Sequence, residues 1–316
     1  MARTGAEGGW EAHEVTSVLY TLELGPDKAP VTLLPEQNEG RHVVDPEVLQ
    51  DLHVTAYSVP MSDSSQLDRA LQNDPEEFYP FAHSVVRLAY QERRPLYMTF
   101  GSMPVSLLDA PPTKLMNNED VARLLAAGAF VLVAGHIVTT PRPETYTRRN
   151  LLAGGAAVAA TTALYMSFLP EGGTTRDAEI IKERLTVYSP QEQETMAQWY
   201  WMLRGFSNLV LAQQLHEVAR LRGTEGEHVV ALAPADNAGL RAALLIPPYE
   251  RDTLIVDFLE NVINPIFDDQ SLGIAEYRSL LESMSTIIEA QPEEHNGIPT
   301  WTPTFHRVVP FAEPSE

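Results

Sequence analysis

Residues 189–232, SPQEQETMAQWYWMLRGFSNLVLAQQLHEVARLRGTEGEHVVAL, predict a long helix followed directly by a buried strand. The helix begins at the capping box Ser189–Glu192, in which side chains satisfy the free backbone donors and Pro190 takes the first helical position. Apolar side chains recur at helical spacing up to Gly223, which stands where a helix-ending glycine belongs. The helix therefore has about 32 residues, or roughly 48 Å. The strand follows at His228–Leu232.

The sequence before this helix repeats the alternation of helix and strand. Asp74-Pro75 starts a helix whose apolar side chains lie on one face, and Pro95 ends it. Leu96–Phe100 then has the composition of a buried strand. This order predicts an α/β fold, with a mixed sheet at the core and helices on its faces. Further strands are predicted at Glu14–Leu24, Pro30–Leu34 and Val54–Val59.

The sequence after the strand predicts three shorter helices and an extended tail. Prolines and periodicity place the helices at Asn237–Leu245, Leu254–Ile263 and Ala275–Ile288. Residues 297–316 contain four prolines among alternating apolar residues, so we expect them to lie extended across the surface. The predicted organisation is an N-terminal α/β half at 1–115, a helical insertion at 116–188, and a C-terminal α/β half with its tail at 189–316.

The composition is acidic and free of cysteine. Among 316 residues, 43 acids face 22 bases, for a formal net charge of −21. A GC-rich genome would explain arginine in place of lysine, but it does not by itself produce an excess of acidic residues. That excess favours a protein that works in molar salt, where the repulsion between carboxylates is screened. We therefore expect a protein of an extreme halophile. Sparse bases argue against nucleic acid as a partner, and the absence of cysteine excludes disulfides and thiolate metal sites.

Two segments in the middle of the chain lack charged residues. Residues 124–141 and 150–170 contain no Asp, Glu, Lys or Arg, and a basic loop separates them. Because the second segment is rich in Ala, Gly and Thr, we expect a helical hairpin buried in a cytoplasmic protein, with a homodimer contact through it. The alternative is a membrane-associated protein in which residues 124–169 form a hairpin in the bilayer. The first 13 residues lack the apolar core of a secretory signal.

Few individual residues suggest chemistry. Glu36, Glu39, His42 and Asp45 recur every three residues, but neighbouring prolines and a glycine predict a solvated acidic loop rather than a metal site. His136 is expected to be a core histidine. His216 lies off the apolar stripe of the long helix and is expected to be solvated. Trp199 fits that stripe and is expected in the core or an interface. No phosphate-binding loop, dinucleotide fingerprint or nucleophile elbow occurs.

Four stretches between residues 30 and 245 carry motif-like residues in a fixed order. Val31–Asn38 takes the place of an early strand ending in Gly-Glu-x-His, and Phe81–Phe100 is similar to a helix leading into a strand of the form iPvyliD. Ser207–Ala212 matches a helix motif RNxxxA in Asn208 and Ala212. Val229–Leu240 has the shape of a last strand that ends in Gly-x-x-His before a Gly-Leu pair. In these features the chain resembles the TraB family and its haem-uptake and Tiki-type relatives, which implies an α/β core with a helical insertion.

The chain departs from that family at most of the residues that carry its chemistry. Glu36, Asn208 and Asp236 remain as polar groups at motif positions, and the resemblance implies that they converge at strand ends. The substitutions are Pro35 for Gly, Asn38 for His, Ser207 for Arg, Ala233 for Gly and Asp236 for His.

What remains of the motif can be read in two ways. Without the two imidazoles, zinc loses its preferred ligands, although Glu36 and Asp236 could bind a hard divalent cation through oxygen or act as an acid–base pair. The resemblance therefore implies a non-catalytic or weakly catalytic binding or interaction module. The alternative is a metal-dependent peptide or ester hydrolase that uses Glu36 and Asp236.

Overall fold

The computed structural model describes residues 19–35, 49, 52–61, 67, 70–71, 80–101, 103, 107, 190–223, 227–233, 238–268 and 274–308. Its strands are β1 (Tyr20–Leu22), β2 (Val31–Pro35), β3 (Val54–Pro60), β4 (Leu96–Thr99), β5 (His228–Ala233), β6 (Thr286–His295) and β7 (Ile298–Arg307). Its α-helices are α1 (Pro80–Gln91), α2 (Pro190–Arg222), α3 (Ala238–Leu245), α4 (Pro248–Phe258), α5 (Asn264–Asp268) and α6 (Ile274–Ser285), and a π-helical turn, Leu259–Ile263, joins α4 to α5.

The strands form one mixed sheet of seven, in the order β1-β2-β5-β3-β4-β6-β7. Its centre, β2-β5-β3-β4, is parallel, while β1, β6 and β7 pair antiparallel at the margins. The central strands are almost wholly buried, as expected where helices cover both faces of a parallel sheet. The predicted α/β class with a mixed sheet is confirmed.

The two faces of the sheet are covered by different helices. Along the central strands, alternate side chains such as Leu33 and Leu34 belong to two separate apolar clusters. The cluster of Leu33 contains most of α2 together with α3 and α4, and the cluster of Leu34 contains α1. Because successive side chains of a strand point to opposite faces of the sheet, the position of a residue along its strand decides which helices its side chain contacts.

Helix α2 runs antiparallel to the central strands across one face of the sheet. Near its C-terminus the carbonyl of Ala219 accepts a hydrogen bond from the backbone N–H of Ala29, just before β2 begins. Further back, Gln214 binds the backbone N–H of Phe100, just after β4 ends. The helix ends at Arg222, and Gly223 has a φ of +76°. The predicted capping proline and C-terminal glycine thus lie where the sequence indicated.

The C-terminal region differs from its prediction. The helix expected at Ala275–Ile288 ends at Ser285, and Thr286 begins β6. Residues 298–307 do not cross the surface as a lone extended tail but form β7, which pairs with β6 along its whole length. The two strands meet at Asn296-Gly297, with φ values of +54° and +79°. Two successive positive φ angles define the type I′ turn that fits a two-residue hairpin.

The helix predicted at Leu254–Ile263 is longer than expected and is interrupted by the π-helical turn. It begins at Pro248 and continues past Pro265 to Asp268. The backbone N–H of Asn264 reaches five residues back to the carbonyl of Leu259. Because Pro265 has no N–H to donate and its ring would crowd a regular turn, the wider turn lets the helix pass the proline.

Prolines protect the open edge of the sheet. In a two-residue hairpin the residues that flank the turn exchange hydrogen bonds, so from Ile298 onward every second residue of β7 bonds β6. Pro299 and Pro303 therefore direct their backbone to the open edge, where they present no N–H. Such an edge is a poor template for another strand.

The predicted apolar hairpin at 124–169, and the whole insertion at 116–188, lie outside the described residues. Within the part of the chain that the structure describes, none of the helices is long and apolar enough to span a bilayer.

Candidate functional site

The carboxyl edge of the parallel strands is one candidate site. At this edge β2 and β5 are direct neighbours, and their last residues, Pro35 and Ala233, are register partners. Glu36 follows the first strand and Asp236 follows the second. Both predicted site residues lie outside the described residues. The structure thus brings together the strand ends from which they continue. Ligands of open α/β sheets bind at this edge.

Asn208, the third predicted site residue, is buried on α2, with 5% of its surface exposed. It lies six residues before Gln214, or about 9 Å along the helix axis. Because Gln214 contacts the end of β4 and α2 runs antiparallel to the strands, Asn208 lies on the helix beyond the carboxyl edge. It therefore lies beyond the same edge of the sheet at which β2 and β5 end.

The side chain of Gln214 connects three elements at this edge by hydrogen bonds. Its side chain is fully buried, and its Oε1 accepts a hydrogen bond from the backbone N–H of Phe100. Its Nε2 donates to the carbonyl oxygens of Ser283 and Met284, both at 2.9 Å, and of Thr286 at 3.3 Å. One amide therefore joins α2, the end of β4 and the junction between α6 and β6. Its hydrogen-bonding groups are all used, which indicates a structural role.

A second polar cluster lies near the amino edge of the strands, and it corrects the prediction for His216. This histidine was expected in solvent, but it is 8% exposed. Its Nε2 lies 3.0 Å from the carbonyl oxygen of Leu244 in α3, and its Nδ1 lies 3.0 Å from Nζ of Lys28, in the loop between β1 and β2. The prediction failed because α2 is buried on nearly every side from Asn208 to His216, so the helix has no solvated face there.

The histidine is neutral. Burial, followed by the nearby charge of Arg251, lowers the pKa of His216 from 6.5 to about 4. Since a carbonyl oxygen can only accept, Nε2 carries the hydrogen and donates it to Leu244. The unprotonated Nδ1 then accepts from Lys28.

Arg251 in α4 completes this cluster. It is 1% exposed, and its Nη1 donates to the carbonyl oxygen of Ala243 at 3.3 Å. Its buried Nε has no hydrogen-bond partner among the described residues. Burial lowers the pKa of Arg251 to about 10, and burial followed by the charge of Arg251 lowers the pKa of Lys28. Two cations and a neutral imidazole thus meet at the C-terminus of α3.

A third polar group lies on the antiparallel margin. Glu289 in β6 accepts hydrogen bonds from Nε2 of His306 at 2.7 Å and from Nε2 of Gln291 at 2.6 Å. The Tyr97 hydroxyl is buried beside it, and burial together with Glu289 raises the pKa of that phenol to about 12. The group links β4, β6 and β7 and contains no activated nucleophile, so we interpret it as a structural contact.

Of the remaining predicted residues, one lies in the core and the others lie outside the described residues. Trp199 is 2% exposed and donates its indole N–H to the carbonyl of Leu107 at 2.8 Å, as expected for a core residue. Glu39, His42, Asp45 and His136 lie outside the described residues. The pairing of Lys28 with His216 had no signal in the sequence, because the two residues are 188 positions apart.

Among the described residues, no three His, Cys, Asp or Glu side chains are grouped closely enough to hold a metal ion. A scan against protein-family models and searches of curated proteins and of solved structures find no match to this chain.

Proposed function

We propose that this chain is a TraB-like binding module, with little or no catalysis of its own, whose ligand lies at the carboxyl edge of β2 and β5. The observation that carries the proposal is the parallel pairing of these strands with Pro35 opposite Ala233. The two motif-bearing segments of the sequence continue from these residues. Strand ends that are neighbours can direct side chains from two distant parts of the chain at one ligand.

The buried amide of Asn208 supports the same location. It lies on α2, beyond the edge where β2 and β5 end, and it matches the one polar motif residue retained on that helix. A carboxylate from the segment after each strand and the amide of Asn208 would offer oxygen donors only. Such a set suits a hard cation such as Ca²⁺ or Mn²⁺ and lacks the imidazole that zinc prefers.

The test is a calorimetric titration of the full chain with Ca²⁺ and with Mn²⁺ in molar KCl. We expect saturable binding that Glu36→Gln and Asp236→Asn each weaken by roughly tenfold or more, since even the outer-shell partners of metal ligands act on that scale. Glu39→Gln is the matched control, because it removes one carboxylate from the same acidic segment and should leave the affinity unchanged. Absence of binding, or equal loss in all three variants, would overturn the proposal.

The same titrated protein separates the module from a hydrolase. A metal-dependent hydrolase would cleave a chromogenic ester or a fluorogenic peptide in the presence of the bound ion, and Glu36→Ala would abolish that cleavage. We expect binding without turnover above the rate of the ion alone. Turnover that disappears in Glu36→Ala would favour the hydrolase over the binding module.

The charge-free segments at 124–141 and 150–170 support a proposed homodimer. Two charge-free segments of that length need apolar partners, and a second copy is a partner that the chain itself supplies. Sedimentation equilibrium in molar KCl should give the mass of a dimer without detergent. A monomer would exclude it, and recovery only with detergent would favour membrane association.

A further inference from the structure

Lys28, His216 and the carbonyl of Leu244 form a line of three hydrogen-bonded groups. Nζ of Lys28 lies 3.0 Å from Nδ1 of His216, and Nε2 of His216 lies 3.0 Å from the oxygen of Leu244. An amine, an unprotonated base and a group that orients the base are the parts of an activated nucleophile. Capping of α3 by His216 accounts for the contact with Leu244, but it does not require an amine on the other side of the ring.

The charges around Lys28 favour its neutral form. Burial and Arg251 lower the pKa of Lys28, Arg220 also lowers it, and Glu217 opposes them. Glu217 is held by Arg220 through Nη2 at 2.5 Å and Nε at 2.8 Å. A lysine that is partly desolvated beside another cation is a known kind of activated amine.

Arg251 indicates what would bind beside this amine. Its guanidinium is buried, and among the described residues its Nε has no hydrogen-bond partner and no ion pair joins it to a carboxylate. The charge of the adjacent Asp252 raises the pKa of Arg251, but the hydrogen bond of that carboxylate comes from Nε2 of Gln213 at 3.0 Å. A buried cation without a bonded anion is costly, so a small carboxylate would stabilise the cluster.

We propose that Lys28 forms a Schiff base with a small carbonyl compound that carries a carboxylate, with His216 as the general base. Lys28 is partly exposed to solvent and is the group that such a compound would meet first. The site lies near the amino edge of the sheet and is independent of the ligand proposed at the carboxyl edge.

The chemistry balances without a further reactant. The Lys28 ammonium releases one proton to solvent, and the nitrogen lone pair attacks the carbonyl carbon to form a C–N bond. A proton from that nitrogen passes to Nδ1 of His216 and then to the former carbonyl oxygen. The second proton of that nitrogen follows the same route to the hydroxyl oxygen as the C–O bond breaks, so that water leaves and a neutral C=N bond joins Lys28 to the substrate carbon.

The experiment traps this product on the intact protein. The chain is incubated with pyruvate and cyanoborohydride, whose hydride reduces the imine to a stable secondary amine, and the peptides are quantified by mass spectrometry. Lys114 and Lys182 are the other lysines of the sequence and serve as internal references. At pH 7.5 we expect more adduct on Lys28 than on either reference lysine, since burial and Arg251 lower the pKa of Lys28 and so raise its fraction of free amine.

Two comparisons define the roles of the neighbours. Acetone is an uncharged analogue of similar size, and its preference for Lys28 should be smaller than that of pyruvate if Arg251 recognises the carboxylate, since only the part due to the lowered pKa of Lys28 remains. His216→Gln should slow labelling of Lys28 several-fold and shift its dependence on pH, while the reference lysines keep their rates. Equal labelling of the three lysines would overturn the proposal, and equal preference with acetone would overturn the carboxylate class. An unchanged labelling rate of Lys28 in His216→Gln would exclude His216 as the general base.

Discussion

At the scale of single residues, Gln214 offers the clearest prediction of stability. Replacement by Met keeps the length of the side chain but removes every hydrogen bond of the amide, including the one that Phe100 donates. Because a buried N–H or C=O left unpaired costs about 1–3 kcal/mol, Gln214→Met should lower the free energy of unfolding by about 3 kcal/mol. Urea denaturation followed by circular dichroism measures it.

The neighbouring Gln213 is the control for that substitution. Among the described residues it makes one amide hydrogen bond, to Asp252, and its buried Oε1 has no partner there. Gln213→Met should therefore cost only about 1 kcal/mol. Equal losses in the two variants would mean that burial of an amide at this turn of α2 decides stability. The hydrogen bonds of Gln214 to the end of β4 and to the α6–β6 junction would then not be the cause.

The lowered pKa of His216 predicts how the free energy of unfolding depends on pH. Its pKa is about 4 when folded and 6.5 in the unfolded chain, so the unfolded state binds the proton first as pH falls. The stabilisation by the neutral imidazole is complete above about pH 6.5 and is lost as pH falls toward 4. Between pH 7.5 and 5 the wild type should lose about 2 kcal/mol more than His216→Gln.

Urea titrations of both proteins at the two pH values, at one KCl concentration, measure this difference. The pKa values of His83 and His228 are also lowered by burial, but both residues remain in the variant. Their contribution therefore cancels in the comparison. Parallel pH profiles for the two proteins would contradict the neutral, buried His216.

At the scale of elements, the sequence predicts what local signals encode. Helix α2 begins at Pro190 and ends before Gly223 because a proline and a glycine act within their own turns of backbone. The apolar run that follows Ala275 suggested a longer helix, since periodicity alone cannot tell a helix end from the start of a buried strand. The prediction of an extended tail at 297–316 overlooked the Asn296-Gly297 pair, whose preference for a type I′ turn encodes the β6–β7 hairpin.

The β7 edge gives a prediction of association. Pro299 and Pro303 both point their backbone to the open edge of the sheet and present no donor there. The double variant Pro299→Thr/Pro303→Thr restores two N–H groups, and we expect it to self-associate in sedimentation velocity at concentrations where the wild type does not. Thr302→Ala/Thr304→Ala changes exposed residues of the same strand and adds no outward donor. Association of this control to the same extent would assign the effect to the surface side chains.

At the scale of the whole molecule, the order of the sheet lies beyond sequence reasoning. Strand β5 is inserted between β2 and β3, although more than 160 residues separate it from either in the sequence. No local pattern encodes that choice, because it depends on how α2 packs across the sheet. For the same reason the alternation of helix and strand predicted the α/β class, whereas the meeting of Lys28 with His216 became visible only in three dimensions.

The net charge of −21 yields the prediction for the molecule as a whole. Exposed carboxylates repel one another, and the Debye length falls from about 10 Å at 0.1 M salt to about 3 Å at 1 M. If the composition reflects molar salt, the melting temperature should rise by roughly 5 °C or more between 0.2 M and 2 M KCl, which corresponds to about 2 kcal/mol. Differential scanning calorimetry measures it, with sucrose as an uncharged comparison.

A neutralised variant tests whether screening is the cause. Asp257, Glu260, Glu276 and Glu282 are exposed on the helices after β5, and their replacement by Asn or Gln removes four negative charges without touching the core. Self-repulsion falls with the net charge, so this variant should melt higher than the wild type at 0.2 M KCl and gain less from added salt. If both proteins gain equally, or if sucrose acts as strongly as KCl, the acid excess is not an adaptation to salt through screening, and a compositional bias of the genome becomes the better explanation of the sequence.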